Sequence, residues 1–468
     1  MKNLDRDSID FGKTDVKKLF VKLFVPTLLG LVFTSAFNII DGVVVGQGVG
    51  SNALAAVNVA APIYLIASAI GLLFATGVSI VAAVHLSQNN EKAANINVTQ
   101  AFFVPLLILI PITIAILVFA EELGYLFGGS ELLSPLIVEY MRWACMVPIF
   151  DLFVFVGIFV VRLDGSPNFA MVLSIVGAFL NSVLDCVFVF PLQWGLMGAA
   201  FATSISLGVE SLMVFIYMIF YSKKLKFRKI KLTPTSLTLT FRNIGYMAKL
   251  GFPTAIGEVA ILFMLIVGNN MFISMLHEDG VAAFSVCCYL FPLVFMFGSA
   301  IAQAQLPIIS YNYGQSNWQR IRSTFKLSLV YAVVCGLALT VWGLFFNSPV
   351  VALFLKTGTV PYELATTGLS YFSLSFIFFT LNLVLIGYYQ SIEKSKFATA
   401  FMLLRGAIIL VPVFIIVPNV MGELGLWLAV PISEAITFVA MTITMLVVKE
   451  NNKKKKEAIE NEAPLSQN

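Results

Sequence analysis

The chain of 468 residues is 59% hydrophobic and only 12% charged, whereas soluble domains carry about 25% charged residues. This composition, with a mean hydropathy of +0.93, excludes a soluble globular protein and indicates a polytopic membrane protein. The formal net charge of +4 is accounted for by basic clusters between apolar runs, so it does not indicate nucleic-acid binding.

Twelve apolar runs are long enough to cross a bilayer, which takes about 20 residues of helix. They are also continuous and longer than the roughly ten-residue strands of a membrane β-barrel. The predicted fold class is therefore an all-α polytopic membrane protein with twelve transmembrane helices. The runs cover residues 19–45, 53–86, 98–120, 132–161, 167–190, 196–221, 250–275, 281–311, 323–346, 361–390, 397–418 and 425–448.

The second half of the chain repeats the first at a constant offset. FVPTLLG at 24–30 aligns with GFPTAIG at 251–257, and Pro191 aligns with Pro418. Because each half holds six spans, the two bundles share one orientation and should be related by a pseudo-two-fold along the membrane normal. The predicted organisation is an N-terminal segment at 1–18, a lobe at 19–221, a linker at 222–243, a second lobe at 244–449 and a basic, disordered tail at 450–468.

Basic residues concentrate on one side of this topology. Lysines and arginines fall before the first span, in the loop at 223–231, around 320–326 and in the tail at 453–456, whereas the opposite loops carry acids such as Glu121 and Glu423. Positively charged loops face the cytoplasm. The sequence therefore predicts a multi-pass protein of the inner or plasma membrane with both termini in the cytoplasm.

Two acids lie inside apolar runs of the first half. Asp41 follows Asn38 by three residues in the run at 26–50, and Asp185 follows Asn181 by four, so each acid shares a helical face with an amide. Intramembrane acids are rare and mark ion pathways or partners. Two carboxylates in low dielectric take up a proton or share a cation, which predicts a coupling site at Asp41 and Asp185, tuned by Asn38 and Asn181. Alternatively, Asp41 is an acid at the outer helix end and Asp185 makes a structural hydrogen bond.

Other polar residues in the spans extend this hypothesis. Tyr140 and Thr203 could add oxygen atoms to the site. Glu258 is either a second coupling or substrate-binding acid, or an acid paired with Lys249 near the cytoplasm. Arg405 is interpreted as reaching to the inner interface, and Glu434 as making a structural ion pair or hydrogen bond. No GxxxxGK[ST] motif and no metal or disulfide pattern among the five cysteines occurs, so no cofactor and no resident metal are expected.

Several segments in this order resemble the multidrug and toxic compound extrusion (MATE) transporters, and Asp41, Asp185 and Asn181 resemble the DinF-like branch. The segments are PTLLGLVFTSAFNIIDGVVVGQGVGSNALAAV, GAFLNSVLDCVFVF with WGLMGAAFAT, and AIAQAQLPIISYNYGQSNWQRIR. The resemblance implies a V-shaped pair of lobes and a first-lobe cavity that includes Tyr140 and Thr203. Phe37 stands where many relatives carry a tyrosine, which removes a hydroxyl from that cavity.

The resemblance implies an antiporter that exports amphipathic organic cations and drugs in exchange for H⁺, or alternatively Na⁺. We expect it to work as a monomer, and we expect no nucleic-acid partner. A flippase for a lipid-linked oligosaccharide of the same superfamily is the alternative. A membrane scaffold or sensor that transports nothing is a third hypothesis. The two buried acids argue against the scaffold, because keeping them in hydrocarbon is costly.

Overall fold

The computed structural model describes residues 9–127, 129–230 and 233–462, which are predominantly helical. The helices of the first half are Val16–Gly48, Ser51–Ser87, Glu91–Phe103, Leu106–Val118, Ala120–Leu126, Ser134–Trp143, Val147–Leu163, Pro167–Val189, Gly195–Ile216 and the π-helical turn Tyr217–Tyr221. Those of the second half are Pro234–Gly314, Trp318–Phe345, Asn347–Val351, Val360–Phe372, Ser375–Ser391, Ser395–Leu403, the π-helical turn Leu404–Ile408, Leu410–Met421 and Glu423–Glu462.

These helices form twelve spans. Over the described ranges, nine helices are long and apolar enough to cross a membrane, and eleven spans result when the two pairs bent by 47° and 45° each count as one. The helix Pro234–Gly314 contributes one more, because its chain reverses at His277 (φ 54°, ψ −152°). Across this turn the rings of Phe272 and Phe284 stack at 4.4 Å, whereas a straight helix would separate them by about 18 Å. The predicted all-α fold with twelve spans is confirmed.

The loops gather at two opposite ends of the bundle. The turns at 88–90, 164–166, 222–230, 315–317 and 392–394 lie at what we call the basic end. The turns at 49–50, 190–194, 346–359 and at Gly422 lie at the acidic end. Backbone N–H groups of Lys223 and Lys224 donate to the Asp164 carboxylate at 2.8 Å, which fixes the connection between the halves onto the first half at the basic end.

The two halves meet backbone against backbone near the basic end. A side chain at Gly251 would overlap the carbonyl of Leu73, and one at Gly77 would overlap the carbonyl of Met247. The second and seventh spans therefore cross so closely that only glycine fits at positions 77 and 251. Small residues at such crossings are the usual way in which membrane helices associate.

Polar contacts join the halves at the same end. The Arg162 guanidinium donates to Gln303 at 2.5 Å. Arg320 of the second half donates to the backbone carbonyls of Phe11 and Thr14 at 3.1 and 2.6 Å. Each of these bonds crosses from one half to the other, so separating the halves here would leave charged donors without their acceptors.

Apolar contact between the halves also concentrates toward the basic end. The largest buried apolar cluster mixes residues of both halves, such as Val78 and Ile80 with Met247 and Ile301. By contrast, the cluster beside the acidic end of the first half, which includes Val44, contains only residues between 44 and 199. The structure is therefore closed at the basic end.

Two features differ from the sequence predictions. Arg405 does not reach to an interface: it is 6% exposed and pairs with Glu434 at 2.8 Å, because the π-helical turn Leu404–Ile408 turns it into the second lobe. The structural ion pair expected of Glu434 is confirmed. At the C-terminus, the last helix continues to Glu462 within the tail predicted to be disordered, since Lys, Glu and Ala favour helix; 463–468 lie outside the described residues.

We expect Gly251→Ala to lower the thermal unfolding midpoint in detergent, because forcing a methyl into packed backbone costs about 1–3 kcal/mol. Gly245→Ala is the matched control on the same helix: nothing lies within 4 Å of a Cβ at Gly245, so alanine should leave the midpoint unchanged or raise it. Equal midpoints for the two variants would contradict the close crossing at Gly251.

Candidate functional site

The carboxyl groups of Asp41 and Asp185 meet in the first lobe. Asp41 lies on the first span and Asp185 on the fifth, and the two carboxyls approach within hydrogen-bonding range of each other. Asp185 is completely buried, at 0% exposure, whereas Asp41 is half-buried. The sequence-predicted acids are therefore neighbours in space, and Asp41 forms the more accessible side of the pair.

Among the residues that the structure describes, Asp185 has no partner other than Asp41. Neither of its oxygens accepts a hydrogen bond from any donor in the described ranges. Two ionised carboxylates have no hydrogen to share, so their contact is favourable only when one carries a proton or a cation lies between them. The pair can therefore hold one positive charge and must rearrange when it loses that charge.

Asn181 and Thr203 lie about one helical turn from Asp185 toward the basic end. The Asn181 amide donates to the Thr203 hydroxyl at 3.3 Å, and that hydroxyl donates to the Ala199 carbonyl at 3.1 Å. Asn181 is thus bonded to the sixth span rather than to Asp185. The side chain of Asn38 lies outside the described part of the structure.

Aromatic residues border the pair. Tyr140 lies within electrostatic range of both Asp41 and Asp185, and its ring packs edge-on against Tyr64 at 5.9 Å. Phe37 contacts Phe179 edge-on at 6.5 Å, so the first and fifth spans carry an aromatic wall one turn from Asp41. The wall has no hydroxyl at Phe37 and is suited to the face of an apolar ring.

Sequence reasoning missed a second acid pair deeper in the same lobe. Asp151 of the fourth span accepts a hydrogen bond from the Ser68 hydroxyl at 2.6 Å, and Glu210 of the sixth span lies within electrostatic range of Asp151. The carboxyl of Glu210 packs against Gly177, where a Cβ would overlap it. The signal was available, because both acids fall inside predicted spans, but neither has an amide beside it on its own helix.

The two acid pairs share one helical face. Gly177, Asn181 and Asp185 follow one another at four-residue spacing on the fifth span, and Thr203 and Glu210 are seven residues apart on the sixth. Residues at these spacings line a single side of a helix. The interface of the fifth and sixth spans therefore carries polar groups from the Asp41–Asp185 pair toward the basic end.

Glu258 is not part of this arrangement. It lies half-buried on the seventh span, in the second lobe. Among the described residues it makes no ion pair with Lys249 or with another base. A role of Glu258 in coupling or substrate binding stays a prediction of the sequence.

The first-lobe site offers oxygen ligands of the kind that bind H⁺ or a hard monovalent cation: two carboxylates, an amide and a hydroxyl. Within the described ranges, no group of three or more His, Cys, Asp or Glu residues could hold a metal ion.

Gly177 and Glu210 should behave as a coupled pair. Gly177→Ala should lower the thermal unfolding midpoint, equivalent to about 1–3 kcal/mol, because the methyl displaces the Glu210 carboxyl. In a Glu210→Ala background the same change should cost little, which a double-mutant cycle measures. Gly208→Ala, with its nearest neighbour at 3.5 Å, is the control; the same cost of Gly177→Ala in both backgrounds would contradict this packing.

The chain is similar in sequence to known proteins over most of its length. The chain is 22% identical over 446 residues to the multidrug export protein MepA of Staphylococcus aureus (strain N315), covering 94% of this chain and 96% of that protein. It is 24% identical over 437 residues to an FAD transporter of Shewanella oneidensis, covering 91% of this chain and 93% of that protein.

Solved structures show the same fold. An outward-facing MATE transporter of the MOP superfamily superposes with a TM-score of 0.87 at 21% identity, covering 96% of this chain and all of that one. A MOP-superfamily transporter from Pyrococcus furiosus, described as having a binding pocket of reverse polarity, gives 0.85 at 21% identity, with 94% and 98% covered.

The sequence model of the MatE family matches twice, over residues 26–187 and 253–416. The two matches begin at the prolines that the internal repeat aligns, Pro26 and Pro253. Together they span most of both lobes. The chain therefore belongs to the MatE family of multi-pass membrane transporters, with twelve helices in two bundles, and is not an enzyme.

Proposed function

We propose that this protein is a secondary active antiporter that exports amphipathic organic cations in exchange for H⁺ or Na⁺ by alternating access. The observation that carries the proposal is the contact of Asp41 with Asp185, a buried pair with no compensating donor in the described residues. Such a pair binds a coupling ion and a cationic substrate for the same electrostatic reason, so the two compete.

The cycle follows from this competition. From the acidic end, H⁺ or Na⁺ binds at Asp41, the half-buried member, and neutralises the pair. A cationic substrate loses its counter-charge and leaves toward the acidic end. After the lobes reopen at the basic end, loss of the ion restores the negative charge that attracts the next substrate. Because one positive charge enters for each one that leaves, the exchange moves no net charge, and the ion gradient supplies the energy: a tenfold gradient is worth about 1.4 kcal/mol.

The aromatic surroundings of the pair support organic substrates. Phe37, Phe179 and Tyr140 present ring faces and edges within about a turn of the carboxyls. A cation over an aromatic face gains an attraction that a hydrated inorganic ion does not. MepA is named for multidrug export, which is consistent with a site that selects by charge and apolar surface.

Export of an anionic dinucleotide is the second candidate, because one relative is named an FAD transporter. Such a substrate carries phosphates and would need cationic groups. In the second lobe the buried Arg405 is already paired with Glu434. The acid pair of the first lobe therefore favours the cation. Nothing in the site favours the lipid-linked oligosaccharide alternative over either.

We further propose that the basic end faces the cytoplasm of the cell membrane and that the protein acts as a monomer. Lysines at the basic end and acids at the acidic end match the positive-inside pattern. In this orientation the closed end is cytoplasmic, and Asp41 is approached from outside. The lobe and linker boundaries at 19–221, 222–243 and 244–449 and the DinF-like branch remain predictions of the sequence.

Transport in proteoliposomes tests the function. With a fluorescent organic cation inside, a pH gradient or a Na⁺ gradient applied separately should drive efflux, and Asp41→Asn/Asp185→Asn should slow it at least tenfold, because the pair can no longer change charge. Glu122→Gln/Glu423→Gln removes two charges from exposed positions at the acidic end and should leave the rate unchanged.

The same assay separates the alternatives. If the Asp41/Asp185 double variant exports as fast as the parent at equal reconstitution, the antiport site is wrong. If FAD moves and no organic cation does, the second candidate replaces the first. The gradient that drives flux identifies the coupling ion.

The orientation has its own test. Green fluorescent protein folds and fluoresces in the cytoplasm and not after export as an unfolded chain. Fused after residue 462 it should be fluorescent, whereas a fusion truncated after residue 422, at the acidic end, should be dark. The opposite pattern would invert the proposed topology.

A further inference from the structure

A groove runs along the seventh span. Its part at the basic end is a cavity of about 530 Å³ between the seventh and eleventh spans, bordered by Lys249, Lys396 and Ser395. A second cavity of about 370 Å³ continues it between the second and seventh spans, bordered by Ile70 and Leu73. Phe252 and Leu403 line both cavities, so the two form one continuous groove, which we call the seam groove.

The seam groove is polar at one end and apolar along the rest. Lys249 and Lys396 are exposed and have no acidic partner among the described residues. Farther along the groove the wall consists of apolar side chains that remain exposed, such as Phe252 at 48%, Val259 at 39% and Phe263 at 47%. Exposed apolar surface of this length on a membrane protein contacts lipid chains, and two lysines at its end call for an anion.

The polar end is built for more than loose charge attraction. Ser395 is 3% exposed, borders the cavity, and its hydroxyl makes no hydrogen bond in the described part of the chain. It also begins the helix Ser395–Leu403, whose first turn has no side-chain cap, so its free N–H groups favour an anion. Thr399 adds a second hydroxyl one turn along. The neighbouring acid, Glu393, is engaged by the Tyr246 hydroxyl.

We propose that the seam groove binds one anionic phospholipid, with its phosphate between Lys249, Lys396 and Ser395 and an acyl chain along Phe252, Val259 and Phe263. The groove begins at the basic end, where the cytoplasmic leaflet supplies anionic headgroups, and basic pockets between membrane helices on that side bind such lipids. A free phosphate fits only the polar end and leaves the apolar length of the groove uncovered.

The bound lipid would act on the conformational cycle. Ile70 and Leu73 belong to the first lobe, whereas Phe252 and Val259 belong to the second. The acyl chain therefore packs across the seam that the crossing of Gly251 with Leu73 holds closed. Opening at the basic end must part these walls, so lipid in the seam groove stabilises the closed state seen here.

The test measures lipid binding to the purified full chain, independently of transport. Phosphatidylglycerol titrated in detergent should raise the thermal unfolding midpoint, and phosphatidylcholine should raise it far less. In Lys249→Gln/Lys396→Gln the phosphatidylglycerol concentration giving half of the shift should rise about 25-fold, since each lysine contributes a factor of about five. Lys13→Gln/Lys17→Gln removes two exposed lysines near the same end outside the groove and should behave as the parent.

Native mass spectrometry supplies a second readout that does not depend on stability. The parent should retain one phosphatidylglycerol more than Lys249→Gln/Lys396→Gln does, and Val259→Trp, which fills the apolar wall, should lose the same molecule while keeping both lysines. An equal lipid count in the parent and both variants would overturn the proposal. So would an equal shift of the midpoint by glycerol phosphate without acyl chains.

Discussion

The contact between Asp41 and Asp185 is the constraint on which the rest of the first lobe depends. A carboxylate in hydrocarbon is costly, and Asp185 is fully buried without a donor in the described residues. The fold keeps the pair by placing the first span against the fifth and by bordering it with the rings of Tyr140 and Phe37. The buried pair lowers the stability of the fold. It suits the ion exchange that we propose, because each change of charge at the pair changes the packing that is most favourable around it.

That change need not stay local. The fifth span carries Asp185, Asn181 and Gly177 on one side, and Gly177 leaves room for the Glu210 carboxyl. A shift of the fifth span in response to a change of charge at Asp185 would therefore move Gly177, against which the Glu210 carboxyl packs. Glu210 lies beside Asp151, so this second acid pair would also be affected. The deeper acid pair is where the state of the outer pair could be transmitted through contiguous packing toward the end that opens next.

Much of the fold was readable from the sequence, because span length and charge asymmetry are imposed by the bilayer itself. Twelve apolar runs gave twelve spans, and the repeat located the two family matches. The proximity of Asp41 and Asp185 was also predicted, since both acids share a face with an amide. The sequence analysis failed where a side chain has a partner far away in the chain. Ser68 donates to Asp151, 83 positions away, and Arg405 pairs with Glu434 beside a π-helical turn. No local pattern encodes either meeting.

Contacts between the two halves concentrate at the basic end, and this asymmetry makes alternation possible. At the basic end, glycine crossings and the Arg162–Gln303 bond form a close-packed seam, and such packing resists small deformations. Toward the acidic end the first lobe keeps an apolar cluster of its own. The charge exchange that we propose at Asp41 and Asp185 then has to bias only one seam, and the lipid that we propose for the seam groove acts on the same equilibrium from a separate site.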